Sequence, residues 1–210
     1  MMLACIHGSS GSRRVEVYEK MPANNLDILP PLVSGESMLA TVDCYSRQYE
    51  WDLLYHGSFG QLKEITANIP YCTFDGERFP DSDFEVVCAT PDPLIATFMA
   101  LRPKNEWVAY DFTEEGKLRF FTQTQTVESF KDANGYVSVL LKDDSFVPLS
   151  RRLKVGKTGM TKRRAPEMRS PNHQIPEFNV RVAWADFEEM LAVRADAQLI
   201  VVQDRREFYR

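Results

Sequence analysis

The chain has 210 residues, 44% hydrophobic and 26% charged, with a formal net charge of −5. That length and composition fit one globular domain, or one domain with an extension, whose core needs no disulfide or metal staple. The acidic balance argues against wholesale nucleic-acid binding, and no apolar run approaches the roughly 20 residues that span a bilayer.

Met1–Ile6 is apolar but too short, and lacks the basic flank, for a signal peptide. Cys5, Cys44, Cys72 and Cys88 show neither C-x-x-C spacing nor a nearby histidine at zinc spacing. Four free thiols, no metal and a cytoplasmic setting are expected.

In chain order, Met2–Ile6 reads as a strand followed by a Gly/Ser turn at His7–Ser12. That turn could pass for a hydrolase oxyanion loop, but Gly35-Glu36-Ser37-Met38-Leu39 lacks the second glycine of a nucleophile elbow. Residues 21–35, with Pro22, Pro30 and Pro31, read as loop. Met38–Tyr45 alternates loosely, as a strand does. Trp51–Tyr55 reads as a strand entering a turn at Gly57-Ser58. Phe59–Asn68 reads as a short helix from Leu62, Ile65 and Ala67, and 70–84 as an acidic solvated loop. Phe84–Ala89 is a buried-type strand. Thr90 then caps a helix through Leu101, with Pro91 and Pro93 in the first turn.

Glu106–Phe112 and Lys117–Thr124 predict a hairpin around Gly116. Val127–Lys131 reads as one helical turn. Gly135–Leu141 and Ser145–Leu149 predict a second hairpin, turning at Lys142-Asp143-Asp144. Phe178–Val182 reads as a strand, Asp186–Val193 as a helix and Gln198–Val202 as a last strand. The sum is a strand-rich α+β fold: residues 51–210 form the main domain, and 1–50 form an extension or part of its core.

Arg151–Arg169 stands apart. It holds eight bases (Arg151, Arg152, Lys154, Lys157, Lys162, Arg163, Arg164, Arg169) and one acid, Glu167. That local +7 leaves −12 for the rest of a chain whose total is −5. Gly156-Lys157-Thr158 has the tail of a phosphate-binding P-loop, but Arg151 replaces its first glycine. A solvated loop is expected, able to meet nucleic acid or an acidic protein. It holds no aromatic residue for stacking on bases.

Three pieces carry candidate chemistry: Leu54-Tyr55-His56-Gly57-Ser58 at a strand end, Val86–Phe98 as a strand running into a helix, and Glu167-Met168-Arg169 before a late strand. Together they resemble the ADP-ribosyltransferase superfamily, in its branch with a His-Tyr-Glu triad. The resemblance spans Leu54 to Arg169 but rests on about 20 motif positions within it. It implies split antiparallel sheets with short flanking helices. It implies an NAD-dependent glycosyltransferase that modifies a macromolecule. A non-catalytic domain of the same shape, gripping a partner or nucleic acid through 151–169, is the competing reading. An RNA 2′-phosphotransferase-like activity is a third.

Under the resemblance, Tyr55, His56, Gly57, Ser58, Thr90 and Phe98 would contact NAD, and His56 and Glu167 would be catalytic. Breaking the bond between nicotinamide and ribose develops oxocarbenium character, which a carboxylate stabilises. A neutral imidazole can both donate to and accept from a ribose hydroxyl. Gly57 would let the backbone approach a flat carboxamide, Ser58 would add a hydroxyl, and Thr90 would sit where a helix N-terminus meets phosphate. An aromatic ring would stack on nicotinamide, from Phe98 or Tyr110. Glu177 and Glu106 compete with Glu167 for the acid. The acceptor would lie against the basic stretch.

Overall fold

The computed structural model describes Leu39, Val42 and residues 52–74, 77–80, 82–104, 106–155 and 159–209. They form a mixed α+β fold of small sheets and short helices. β1 (Leu53–Ser58) pairs antiparallel with β7 (Asn134–Leu141), which pairs on its other side with β10 (Phe178–Ala183). A second sheet has β4 (Val87–Ala89), β9 (Gly159–Ser170) and β8 (Val147–Val155) in that order. A third joins β5 (Val108–Phe112), β6 (Leu118–Gln123) and β11 (Ala197–Val202), with β11 parallel to β6. β2 (Tyr71–Phe74) and β3 (Glu77–Pro80) make a separate ribbon. Among the residues after 51, the described helices are α1 (Pro93–Ala100), α2 (Thr124–Lys131) and α3 (Trp184–Ala192), and a 3₁₀ turn covers Arg205–Tyr209.

Among the described residues the first two sheets meet at a bridge: the Tyr55 N–H donates to Thr90 O at 2.8 Å, and the Thr90 N–H to Tyr55 O at 2.9 Å. Side chains alternate between the two faces of the strands that meet there. Leu53 and Tyr55 enter the main core; Leu54, Val87, Ala89 and Leu140 enter a second cluster under Ile65 and Ala67. Met168 packs on that second cluster too.

The main core is aromatic. Phe98 lies 4.7 Å from Phe120, 5.4 Å from Phe130 and 5.3 Å from Phe187, centroid to centroid. Trp184 packs at a tilt against Phe130 and Phe187. α1 lies on β1 and β7 at backbone distance. A Cβ on Gly57 would stand 2.1 Å from Ala96 O, and one on Gly135 2.3 Å from Ala100 O. Two glycines on neighbouring strands thus make the groove that seats the helix.

Several expectations change. Phe59–Asn68 is not helical: Ile65 and Ala67 are buried while Glu64, Thr66 and Asn68 are exposed, a period of two. Ile65 bridges Gln174 and Asn68 bridges Val86. The acidic loop at 70–84 holds the β2–β3 ribbon. β7 and β8 form no hairpin, because β7 has β1 and β10 as neighbours and β8 pairs with β9. The basic stretch is strand over most of its length, with Lys157 outside the described residues. Of Met38–Tyr45, Leu39 and Val42 are described; both are helical and join the main core. The expected elements at 2–6 and 21–35 lie outside the described residues. No helix among the described residues is long and apolar enough to cross a membrane.

Candidate functional site

In an antiparallel pair, a residue that bonds its partner turns both its N–H and its C=O toward it, and so does the residue two positions on. Tyr55 and Thr90 are such a pair. Gly57 and Cys88, one step further along the register, therefore aim their amides and carbonyls at each other's strand. Among the described residues no bridge joins them. The Cys88 carbonyl instead accepts from His56 Nδ1, at 2.7 Å. The imidazole takes the place that the Gly57 N–H would hold, and β1 and β4 part there.

A carbonyl can only accept, so His56 carries its proton on Nδ1 and presents Nε2 as an acceptor when neutral. Burial pushes the His56 pKa below its ordinary value, against the smaller opposing effect of the Cys88 carbonyl. The ring is therefore neutral near pH 7, with one tautomer held by the backbone.

On its other side β4 pairs with β9. Cys88 faces Arg169, and continuing the register sets Thr90 opposite Glu167. Arg169 Nε donates to Glu167 Oε1 at 2.7 Å, and both side chains are largely enclosed. The Cys88 thiol is pushed up to about 12, first by burial and then by the Glu167 charge and the hydrogen bond to it, with Arg169 opposing. Tyr110, on β5, has its hydroxyl pKa raised by burial and by the neighbouring Glu167 and Cys88. The thiol and the phenol are both neutral, beside an ion-paired carboxylate.

The three motif pieces thus meet at Cys88: His56 on its carbonyl, Glu167 and Arg169 on its thiol, Tyr110 beside them. The side chains of His56 and Glu167 leave opposite faces, however. Met168 and Ala89 share the face of His56, while Cys88, Glu167 and Arg169 share that of Tyr55 and Gly57. The two approach each other only through the gap between the strands.

No protein-family model, curated protein or solved structure matches the chain. The site is therefore read from its own geometry, which corrects several assignments.

Phe98 is fully buried among three phenylalanines and offers no ring face to a ligand. Tyr110 is the aromatic candidate that stands beside Glu167. Tyr55 is a core residue, 1% exposed. Gly57 is required by the approach of α1, quite apart from any ligand. Ser58 Oγ donates to Gly60 O at 2.7 Å on the surface and so closes its own turn.

Thr90 does not cap α1. Asp92 does, accepting from the Leu94 N–H at 2.9 Å, while Thr90 Oγ1 accepts from the Asp92 N–H at 3.2 Å. Arg194 reaches the Asp92 carboxylate at 3.3 Å. The positive end of α1 is already met by a carboxylate, which takes the position expected for a phosphate.

Of the competing acids, Glu106 accepts from Thr126 Oγ1 at 2.9 Å, at the start of α2. Glu177 precedes β10 on the face of His56, and burial raises its pKa. Between them lies a satisfied polar row: Ser138, opposite His56, donates to Asn179 Oδ1 at 2.6 Å, and Asn179 Nδ2 donates to Leu62 O at 2.9 Å. Sequence reasoning assigned no role to Cys88, Ser138 or Asn179. A cysteine between β-branched and small residues reads as core, and cross-strand partners depend on a register that a single strand does not carry.

Proposed function

We propose that the chain is an NAD-dependent ADP-ribosyltransferase of the His-Tyr-Glu type, with its site in the gap between β1 and β4. The observation that carries this reading is the His56–Cys88 hydrogen bond, which holds a neutral imidazole in one tautomer where the two sheets part. His56 Nε2 would accept from a ribose hydroxyl. The Gly57 N–H and C=O, turned toward the same gap, would pair with the nicotinamide carboxamide. Tyr110 would stack on the ring.

Glu167, held by Arg169, would stabilise the positive charge that develops as the bond from ribose C1′ to the nicotinamide nitrogen breaks. The bonding pair leaves with nicotinamide. The acceptor nucleophile then bonds to C1′ and gives up its proton. A carboxylate ion-paired at 2.7 Å starts partly neutralised, so Glu167 acts best once ligand has drawn Arg169 aside.

The test is nicotinamide release from NAD together with NAD binding by calorimetry. His56→Ala, Tyr110→Ala and Glu167→Gln are compared with the unaltered chain. Glu167→Gln is expected to bind NAD and to release nicotinamide at least 100-fold more slowly. Tyr110→Ala is expected to lose binding. An unaltered chain that neither binds NAD nor releases nicotinamide would sink the reading, and equal rates in all four would sink the site.

A further inference from the structure

Glu167 and Arg169 stand two residues apart on β9 and on one face, a step of about 6.7 Å. The Arg169 Nε–H donates to Glu167 Oε1 at 2.7 Å, and both side chains are largely enclosed. An enclosed ion pair recovers its desolvation cost only in part, so the pair itself contributes little to the fold. Its chemical consequence is larger: the carboxylate is turned to a guanidinium rather than to a ligand.

A dinucleotide would bring two negative phosphates into the gap between β1 and β4. The carboxylates whose charges act on Tyr110 there are Glu167 and Asp92, and the guanidinium is that of Arg169. Asp92 already takes the start of α1, bonded to the Leu94 N–H and reached by Arg194. The helix terminus therefore offers a phosphate a carboxylate, whereas Arg169 offers it a cation. A guanidinium carries five N–H donors in a planar fork that suits two phosphate oxygens.

In NAD, C1′ of the nicotinamide ribose and the phosphate on C5′ of the same sugar lie one sugar ring apart. That span is of the same order as two residues along one face of a strand. An acid that serves C1′ from position 167 thus has a phosphate-binding group within reach at position 169. We infer that Arg169 binds this phosphate and gates Glu167: a substrate phosphorylated at C5′ draws the guanidinium from the carboxylate, and a substrate without that phosphate leaves the acid held. The inference rests on the NAD reading and names the part of the substrate that switches its acid on.

The test compares nicotinamide release from NAD, nicotinamide mononucleotide and nicotinamide riboside, the last of which has no phosphate. In the unaltered chain, kcat at saturation is expected to be lower for the riboside than for the mononucleotide by about 10-fold or more. A phosphate contact that only adds affinity would move KM and leave kcat alone. Glu167→Gln removes the competing charge. Calorimetry is expected to show it binding the mononucleotide about 10-fold more tightly than the unaltered chain does, with its affinity for the riboside unchanged. Arg169→Lys keeps a cation without the fork and is expected to narrow the kcat difference between the two substrates. Equal urea midpoints certify that the variants fold.

Equal kcat for mononucleotide and riboside in the unaltered chain overturns the gate. So does an unchanged affinity of Glu167→Gln for the mononucleotide, or an Arg169→Lys chain in which both rates change by one factor. Each of these leaves the NAD reading standing. A chain that neither binds NAD nor releases nicotinamide removes that reading, and the gate with it.

Discussion

Arg169 and Arg163 stand on the same strand, in opposite circumstances. Arg169 lies across from Cys88, 8% exposed and bonded to Glu167. Arg163 lies across from Arg151 in a stretch without acids. The inner end of β9 pairs its charge within the fold; the outer end sets base opposite base in the register.

The comparison breaks first at the inner end. Gly57→Ala drives a methyl group into the Ala96 carbonyl and is expected to cost about 4 kcal/mol or to prevent folding. Urea denaturation checks this, and an effect below about 1 kcal/mol would mean that α1 does not sit at backbone distance. Next in size, Arg169→Met leaves the enclosed Glu167 carboxylate without its ion pair. The expected loss is about 3 kcal/mol, and Glu167→Gln in the same chain should restore part of it.

The third test is acid titration. Burial depresses the folded pKa of His56 below the unfolded value of 6.5. The unfolded chain therefore binds more protons in that window. The contribution of His56 is present above pH 6.5 and is lost as pH falls through the folded pKa. The difference in stability between the unaltered chain and His56→Gln should shrink as pH falls below 6.5, and a constant difference would show that the ring titrates normally.

The smallest effect belongs to the outer end. Arg151→Glu turns a like-charge register pair into an opposite one and is expected to stabilise the chain by about 0.5 kcal/mol, read as a higher urea midpoint. Arg169→Glu at the inner end should do the reverse.

The sequence was most legible where a pattern is local. α1, the β5–β6 hairpin with Gly116 at φ +84°, β10, α3 and β11 all lie close to where periodicity and turn residues put them. It misled where distant partners decide. Leu62 and Ile65 are spaced for a helix but Ile65 and Ala67 for a strand, and the extended form goes with the bridges from Ile65 to Gln174 and from Asn68 to Val86. β7 and β8 look like a hairpin across Lys142-Asp143-Asp144 until β1 and β9 claim them. At the candidate site, the motif named His56 and Glu167 without showing that their side chains leave opposite faces, and Phe98 and Tyr110 could be told apart only by burial.

The pairings that build the site also set the order in which it can form. β1 must wait for β7 and β4 for β9, so Tyr55 finds Val139, and Cys88 finds Arg169, only after most of the chain exists. Hairpins such as β5–β6 and β8–β9 close quickly over short loops, whereas these long closures are slow in any chain. The strand gap that orients His56 is accordingly a late product of folding, and a chain cut before residue 159 contains the histidine without the structure that orients it.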